Sequence, residues 1–119
     1  MISNDRTALL QGVSLEPAGP LWKRAPTRDR DGRPLSDFMM LIPGLSKRPA
    51  VQLEQVLDTI RSVLARYGDA VVFADLNLRL NVLWVSVRPI PGICLELAAA
   101  LNSAVPESRL VAQRAPGKV

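Results

Sequence analysis

Few side chains in this sequence could do chemistry. There is one cysteine, Cys94, and no histidine. Without imidazole, the commonest general base and metal ligand at neutral pH is absent. Cys94 follows Pro91-Gly92-Ile93, where a helix is expected to start. A thiol there could be acidified by the helix N-terminus. Its neighbours Ile93 and Leu95 equally suit a small buried hydrophobe. A lone cysteine makes no internal disulfide and offers no metal-ligand spacing. It cannot hold an iron–sulfur cluster, which needs several thiolates. Acidic residues stand singly, with no spacing that implies shared acid–base work. No phosphate loop, dinucleotide glycine fingerprint or Gly-x-Ser-x-Gly elbow is present. No catalytic residue, metal or cofactor is therefore expected.

Two other groups of residues suggest binding. Ser46, Lys47 and Arg48 precede Pro49 at the expected start of a helix. Helix N-termini attract anions, and the two cations add charge there. These three are the candidate ligand residues, for a small anionic ligand. The second group is aromatic, with Phe73 and Trp84 on adjacent expected strands. Which way those rings point depends on the elements that carry them.

The first of those elements is the apolar run Phe38 to Ile42, ended by Pro43-Gly44. It predicts a strand over about 36–43. Val51, Leu53, Val56, Leu57, Ile60, Val63, Leu64 and Tyr67 recur mostly at three- and four-residue steps. They draw one apolar stripe on a helix over about 49–67, with Gly68 as its stop. Residues 70–77 and 81–88 are rich in β-branched and aromatic side chains and predict a hairpin. A second helix is expected over about 92–104, and a last strand over 109–113.

The order is strand, helix, strand, strand, helix, strand. That is the ferredoxin-like βαββαβ arrangement, an α+β fold with a four-stranded antiparallel sheet and both helices on one face. Strand side chains alternate between faces. The apolar sets Val72, Ala74, Leu76, Leu78 and Leu83, Val85, Val87 should meet the helices. Val71, Phe73, Val82 and Trp84 should then lie on the helix-free face, beside Asp75, Ser86 and Arg88. A slip of one residue would instead bury both rings in the core.

Two large rings on a face without helices require a partner. Three occupants fit: a second copy of the sheet, giving a homodimer; the chain's own N-terminal arm, with Trp22 folded across; or nucleic acid stacking on the rings. The interface candidates are Phe73, Val82, Trp84 and Trp22. The RNA-recognition pattern of glycines interleaved with aromatics is missing from Asn81 to Val87.

The topology resembles the ACT-type regulatory domains. Those modules often carry an Arg-Pro-Gly-like turn into the first helix, and Arg48-Pro49-Ala50 matches its first two positions. The resemblance implies dimerisation and small-ligand sensing near that turn.

Bulk properties frame the rest. The 119 residues are 48% hydrophobic and carry a net charge of +4. That length suits one domain. Residues 1–34 hold six Lys/Arg and four Asp/Glu, and residues 35–119 hold nine and seven, so each part is only +2. Such interspersed charge describes a solvated surface better than a nucleic-acid stripe. Residues 1–34, with four prolines and the run Arg28 to Arg33, read as an extended arm. Residues 35–115 read as the domain and 116–119 as a tail. No apolar run reaches membrane-spanning length and no secretory leader is evident, so the expectation is a cytoplasmic protein. The functional expectation is a non-enzymatic, dimerising binding or regulatory module. The alternatives are a nucleic-acid-binding module, or a small oligomeric enzyme with a site at its dimer seam.

Overall fold

The computed structural model describes residues 13–14 and 27–114. It shows an α+β fold. The elements are β1 (Val13–Ser14), β2 (Ser36–Leu41), α1 (Ala50–Arg66), β3 (Val71–Asn77), β4 (Val82–Val87), α2 (Ile93–Ala104) and β5 (Arg109–Arg114). The strands form one sheet in the order β1-β3-β4-β2-β5. Four of them, β3-β4-β2-β5, pair antiparallel, and β1 adds a short parallel pairing outside β3. That fifth strand is an addition to the four expected. Trp22 and the tail at 116–119 lie outside the described residues.

Alternation along β4 sets the layers. Leu83, Val85 and Val87 are each at most 2% exposed and join one core with Phe38, Met40, Ala74 and Leu76. The same core takes Leu57, Ile60, Val63 and Leu64 from α1, and Ile93, Leu97 and Leu101 from α2. The helices also touch one another, and α2 lies over β2 and β5. Both helices therefore cover the same face.

Val71 departs from the expected alternation. The ladder between β3 and β4 shifts between Val71 and Phe73, so Val71 pairs with Val87 while Phe73 pairs with Ser86. This bulge turns Val71 into the core and leaves Val72 partly exposed, the reverse of their expected faces. The chain enters β3 through a 3₁₀ turn at Gly68–Ala70, held by the Arg88 N–H donating to the Ala70 carbonyl at 2.9 Å.

Both strand-to-helix links use the same device. Ile42-Pro43-Gly44-Leu45 and Ile90-Pro91-Gly92-Ile93 each close with the fourth N–H donating to the first carbonyl, at 3.2 and 3.0 Å. Gly44 has φ 73° and ψ 7°, and Gly92 has φ 78° and ψ −1°. Proline then a left-handed glycine makes a type II turn. Each turn delivers a buried residue, Leu45 or Ile93, into the core.

Residues 27–34, part of the expected extended arm, form a closed turn. Arg28 bridges Pro34, and the Leu35 N–H donates to the Thr27 carbonyl at 3.0 Å. Inside it, the buried Asp29 carboxylate accepts the Asp31 and Arg33 N–H groups, each at 2.9 Å. It also accepts Arg88 Nη1 at 3.0 Å, which clasps the turn to the end of β4. Arg88 Nε donates to the Asp69 carbonyl at 2.8 Å, so one guanidinium ties three segments together.

The left-handed glycines have a measurable consequence. A Cβ at Gly92 would meet nothing within 4 Å, so Gly92→Ala imposes only the backbone penalty. It should lower unfolding free energy by about 1–2 kcal/mol. Urea titration of the two proteins checks this, and an unchanged midpoint would contradict the turn assignment.

Candidate functional site

Two regions could bind a partner: the loop cluster around Ser46 to Arg48, and the helix-free face of the sheet. The loop cluster lies where β2 ends, the β3–β4 hairpin turns and α2 hands over to β5. The sequence singled out Ser46, Lys47 and Arg48 there, and the structure brings Asn81 and Glu107 to them. The Ser46 N–H donates to Asn81 Oδ1 at 2.9 Å, and the Ile42 N–H donates to the Asn81 carbonyl at 2.8 Å. Asn81 adopts φ 58°, a left-handed conformation that asparagine tolerates better than most residues. The Arg48 guanidinium pairs with the Glu107 carboxylate. Lys47 stays exposed at the end of a 3₁₀ turn.

These contacts change what the cluster can do. The cation that would attract an anion at the start of α1 is compensated by Glu107, and the Ser46 N–H is already taken. Neither partner is visible in the local motif: Asn81 lies 35 residues from Ser46, and Glu107 lies 59 residues from Arg48. The arrangement acts as a polar staple joining three connections.

The helix-free face carries Asp37, Met39 and Leu41 from β2, Val82, Trp84 and Ser86 from β4, and Phe73, Asp75 and Asn77 from β3. Phe73 and Trp84 thus lie on the side opposite the helices, and neither belongs to the helix-covered core. The face is not bare. Phe73 is 9% exposed, Asp37 6%, Asp75 5% and Ser86 1%. Neither Asp37 nor Asp75 lacks an interaction partner. Trp84 and Val82 are half-buried, and Trp84 Nε1 donates to Ser86 Oγ at 3.0 Å. The fourth interface candidate, Trp22, lies outside the described residues.

Cys94 sits half-buried on the first turn of α2. Burial pushes its thiol above the ordinary value, and the nearby Asp37 charge adds to the shift. The acidifying effect open to a thiol at a helix start is overridden. No group of three metal-ligating side chains occurs among the described residues.

A region missed by the sequence reading is the side of the sandwich formed by α2 and β5. α2 carries one formal charge, Glu96, in its twelve residues. Leu95 is 57% exposed, and Ala99 and Ser103 are exposed along the same face. On β5, Leu110 is 37% and Val111 51% exposed. Among the described residues no strand pairs with the outer edge of β5. Its one irregularity is the shift between Met39 and Met40, which leaves Val111 as an extra residue opposite β2. The signal available for it is the low charge of residues 93–104, which hold Glu96 as their one ionisable side chain apart from Cys94.

Two measurements test this chemistry. The Asp29 carboxyl is held below its ordinary value, foremost by the Arg33 backbone N–H, against an opposing effect of burial. Glu107 is lowered foremost by its hydrogen bond from Arg48. Lowered carboxyl pKa values stabilise the fold above the ordinary carboxylate range, and this is lost as pH falls through the folded-state values. Urea midpoints should hold near neutrality and fall below about pH 4, less steeply in an Asp29→Asn/Glu107→Gln double variant. Cys94 should react with a thiol reagent at pH 7 more slowly in the folded chain than in urea. Labelling at the unfolded rate would refute its raised pKa. No protein-family model, curated protein or solved structure was found to match the chain.

Proposed function

We propose that the chain is a non-enzymatic assembly module that forms a two-fold homodimer through the side built by α2 and β5. The observations that carry this are the exposed apolar residues Leu95 and Ala99 on α2 and Leu110 and Val111 on β5, together with the outer edge of β5, which no described strand pairs. Exposed apolar residues that cluster mark association surfaces more often than isolated ones do. Two-fold pairing sets α2 against its copy and β5 beside its copy, so the same residues face each other across the axis. The bulge at Val111 and the arginine at position 109 blunt the edge against open-ended strand addition. Association therefore rests on side chains and closes at two copies.

The domain is read here as ferredoxin-like. The element order from β2 to β5 and the lateral order β3-β4-β2-β5 support that reading. Dimerisation of this kind also suits the regulatory role implied by the ACT-type resemblance. Dimerisation through the side, rather than the sheet face, is favoured because Phe73 is buried. No helix of the described residues is long and apolar enough to cross a membrane.

Sedimentation equilibrium should give twice the chain mass for the native protein, and the single-chain mass for Leu95→Asp. Leu95 is exposed, so its far-ultraviolet circular dichroism should be unchanged. A native protein that stays monomeric at high micromolar concentration would overturn the reading.

A further inference from the structure

One end of the sandwich gathers three connections. They are residues 42–49 between β2 and α1, 78–81 between β3 and β4, and 105–108 between α2 and β5. The register places them together, since Asn77, Val82, Leu41 and Arg109 form one row across the strand ends. Asn81 fastens the hairpin to the first connection through the Ile42 and Ser46 N–H groups, and Arg48 reaches Glu107 in the third.

Charge at this end is one-sided. The connections hold Lys47, Arg48 and Arg79, and Arg109 follows at the start of β5. Their one carboxylate, Glu107, is taken by Arg48. Lys47, Arg79 and Arg109 are all exposed. The first turn of α1 also opens here, with no acidic residue and no side-chain cap, which adds positive potential. The opposite end differs, for there Asp29, Asp31 and the Asp69 carbonyl are engaged by arginines. The basic end also carries the two most exposed large hydrophobic side chains of the described residues, Val51 at 69% and Leu80 at 64%. Leu80 follows Arg79 in the hairpin, and Val51 lies in the first turn of α1, shortly after Lys47. Neither joins the helix-covered core.

Aliphatic side chains set among unpaired cations narrow the choice of partner. Nucleic acid would satisfy the charges, but bases stack on aromatic rings, and these connections hold none. An anionic bilayer satisfies both, because its headgroups meet the cations and its acyl boundary takes the aliphatic groups. We propose that this end docks onto an anionic membrane surface, with Leu80 and Val51 entering the acyl boundary and Lys47, Arg79 and Arg109 facing the lipid headgroups. The docking is peripheral and reversible, and it requires no spanning helix. The contacts of Asn81 and of Arg48 with Glu107 hold the connections in place beforehand, so little ordering is needed on binding. The inference does not rest on the dimer, because one chain carries the whole surface.

Co-sedimentation of the full native chain with phospholipid vesicles tests this at about 0.1 M salt. The chain should pellet with phosphatidylcholine vesicles containing a quarter phosphatidylserine and stay in solution with phosphatidylcholine alone. Lys47→Ser/Arg79→Ser should lower partitioning roughly 25-fold, a factor of about five for each cation. Leu80→Ser keeps the charge and should lower it several-fold. All three residues are exposed, so circular dichroism should match the native chain. If a variant nonetheless misfolds, the native comparison of the two vesicle types decides alone. No pelleting with the anionic vesicles at millimolar lipid would overturn the proposal. So would a charge variant that pellets like the native chain. Pelleting unchanged by Leu80→Ser would also overturn it, since the attraction would then be for polyanions in general, and binding of a single-stranded oligonucleotide in that case would identify nucleic acid as the occupant.

Discussion

Everything in this fold hangs on Val85. It is fully buried at the centre of the sheet, paired with Phe38 on one side and Ala74 on the other. Because strand side chains alternate, fixing Val85 inward fixes Leu83 and Val87 inward and Trp84 and Ser86 outward. The neighbouring strands follow in register, with Met40 and Leu76 flanking Leu83. Truncating a residue such as Leu83 to alanine would cost about 2–5 kcal/mol. That is a large share of the roughly 5–15 kcal/mol holding a domain of this size together. The two candidate surfaces inherit their composition from this choice, since the helices cover the inward side and must leave the outward side to something else.

The central elements were legible in the sequence, and the reasons are local. The stripe from Leu53 to Leu64 repeats at helical spacing over several turns, and α1 runs Ala50–Arg66 against an expected 49–67. Strands β3 and β4 are dense in β-branched residues, and their expected limits were off by about one residue. Phe73 and Trp84 fall on the expected side for the same reason. Val71 did not, because the bulge is set by the Ala70 carbonyl and the Arg88 N–H, a contact between distant residues that periodicity does not encode. β1 was invisible because two residues carry no period.

The polar features were least legible. The run Arg28 to Arg33 looks like solvated charge, and only its partner Arg88, 59 residues from Asp29, makes it a docked turn. Arg48 looks like an anion-binding cation until Glu107 is brought to it. In both cases the residue type was read correctly and its task was not. A charged side chain announces that it needs a counter-charge or water, but a linear sequence does not say which it will find. Apolar residues are less ambiguous, because burial is the only favourable outcome for a set of them on one face.

The matching Ile-Pro-Gly turns imply an architecture of two equivalent halves, β2-α1-β3 and β4-α2-β5. Within the four antiparallel strands, each half begins with a central strand, passes through a left-handed glycine and ends on a flanking strand, with β1 lying outside β3. The outer strands are exchanged, for β3 pairs with β4 of the other half and β5 pairs with β2. Neither half owns a complete sheet, so the halves interlock like clasped hands. Backbone cleavage at the turn around residues 78–81 would thus yield two fragments with no independent fold, each serving as the other's template.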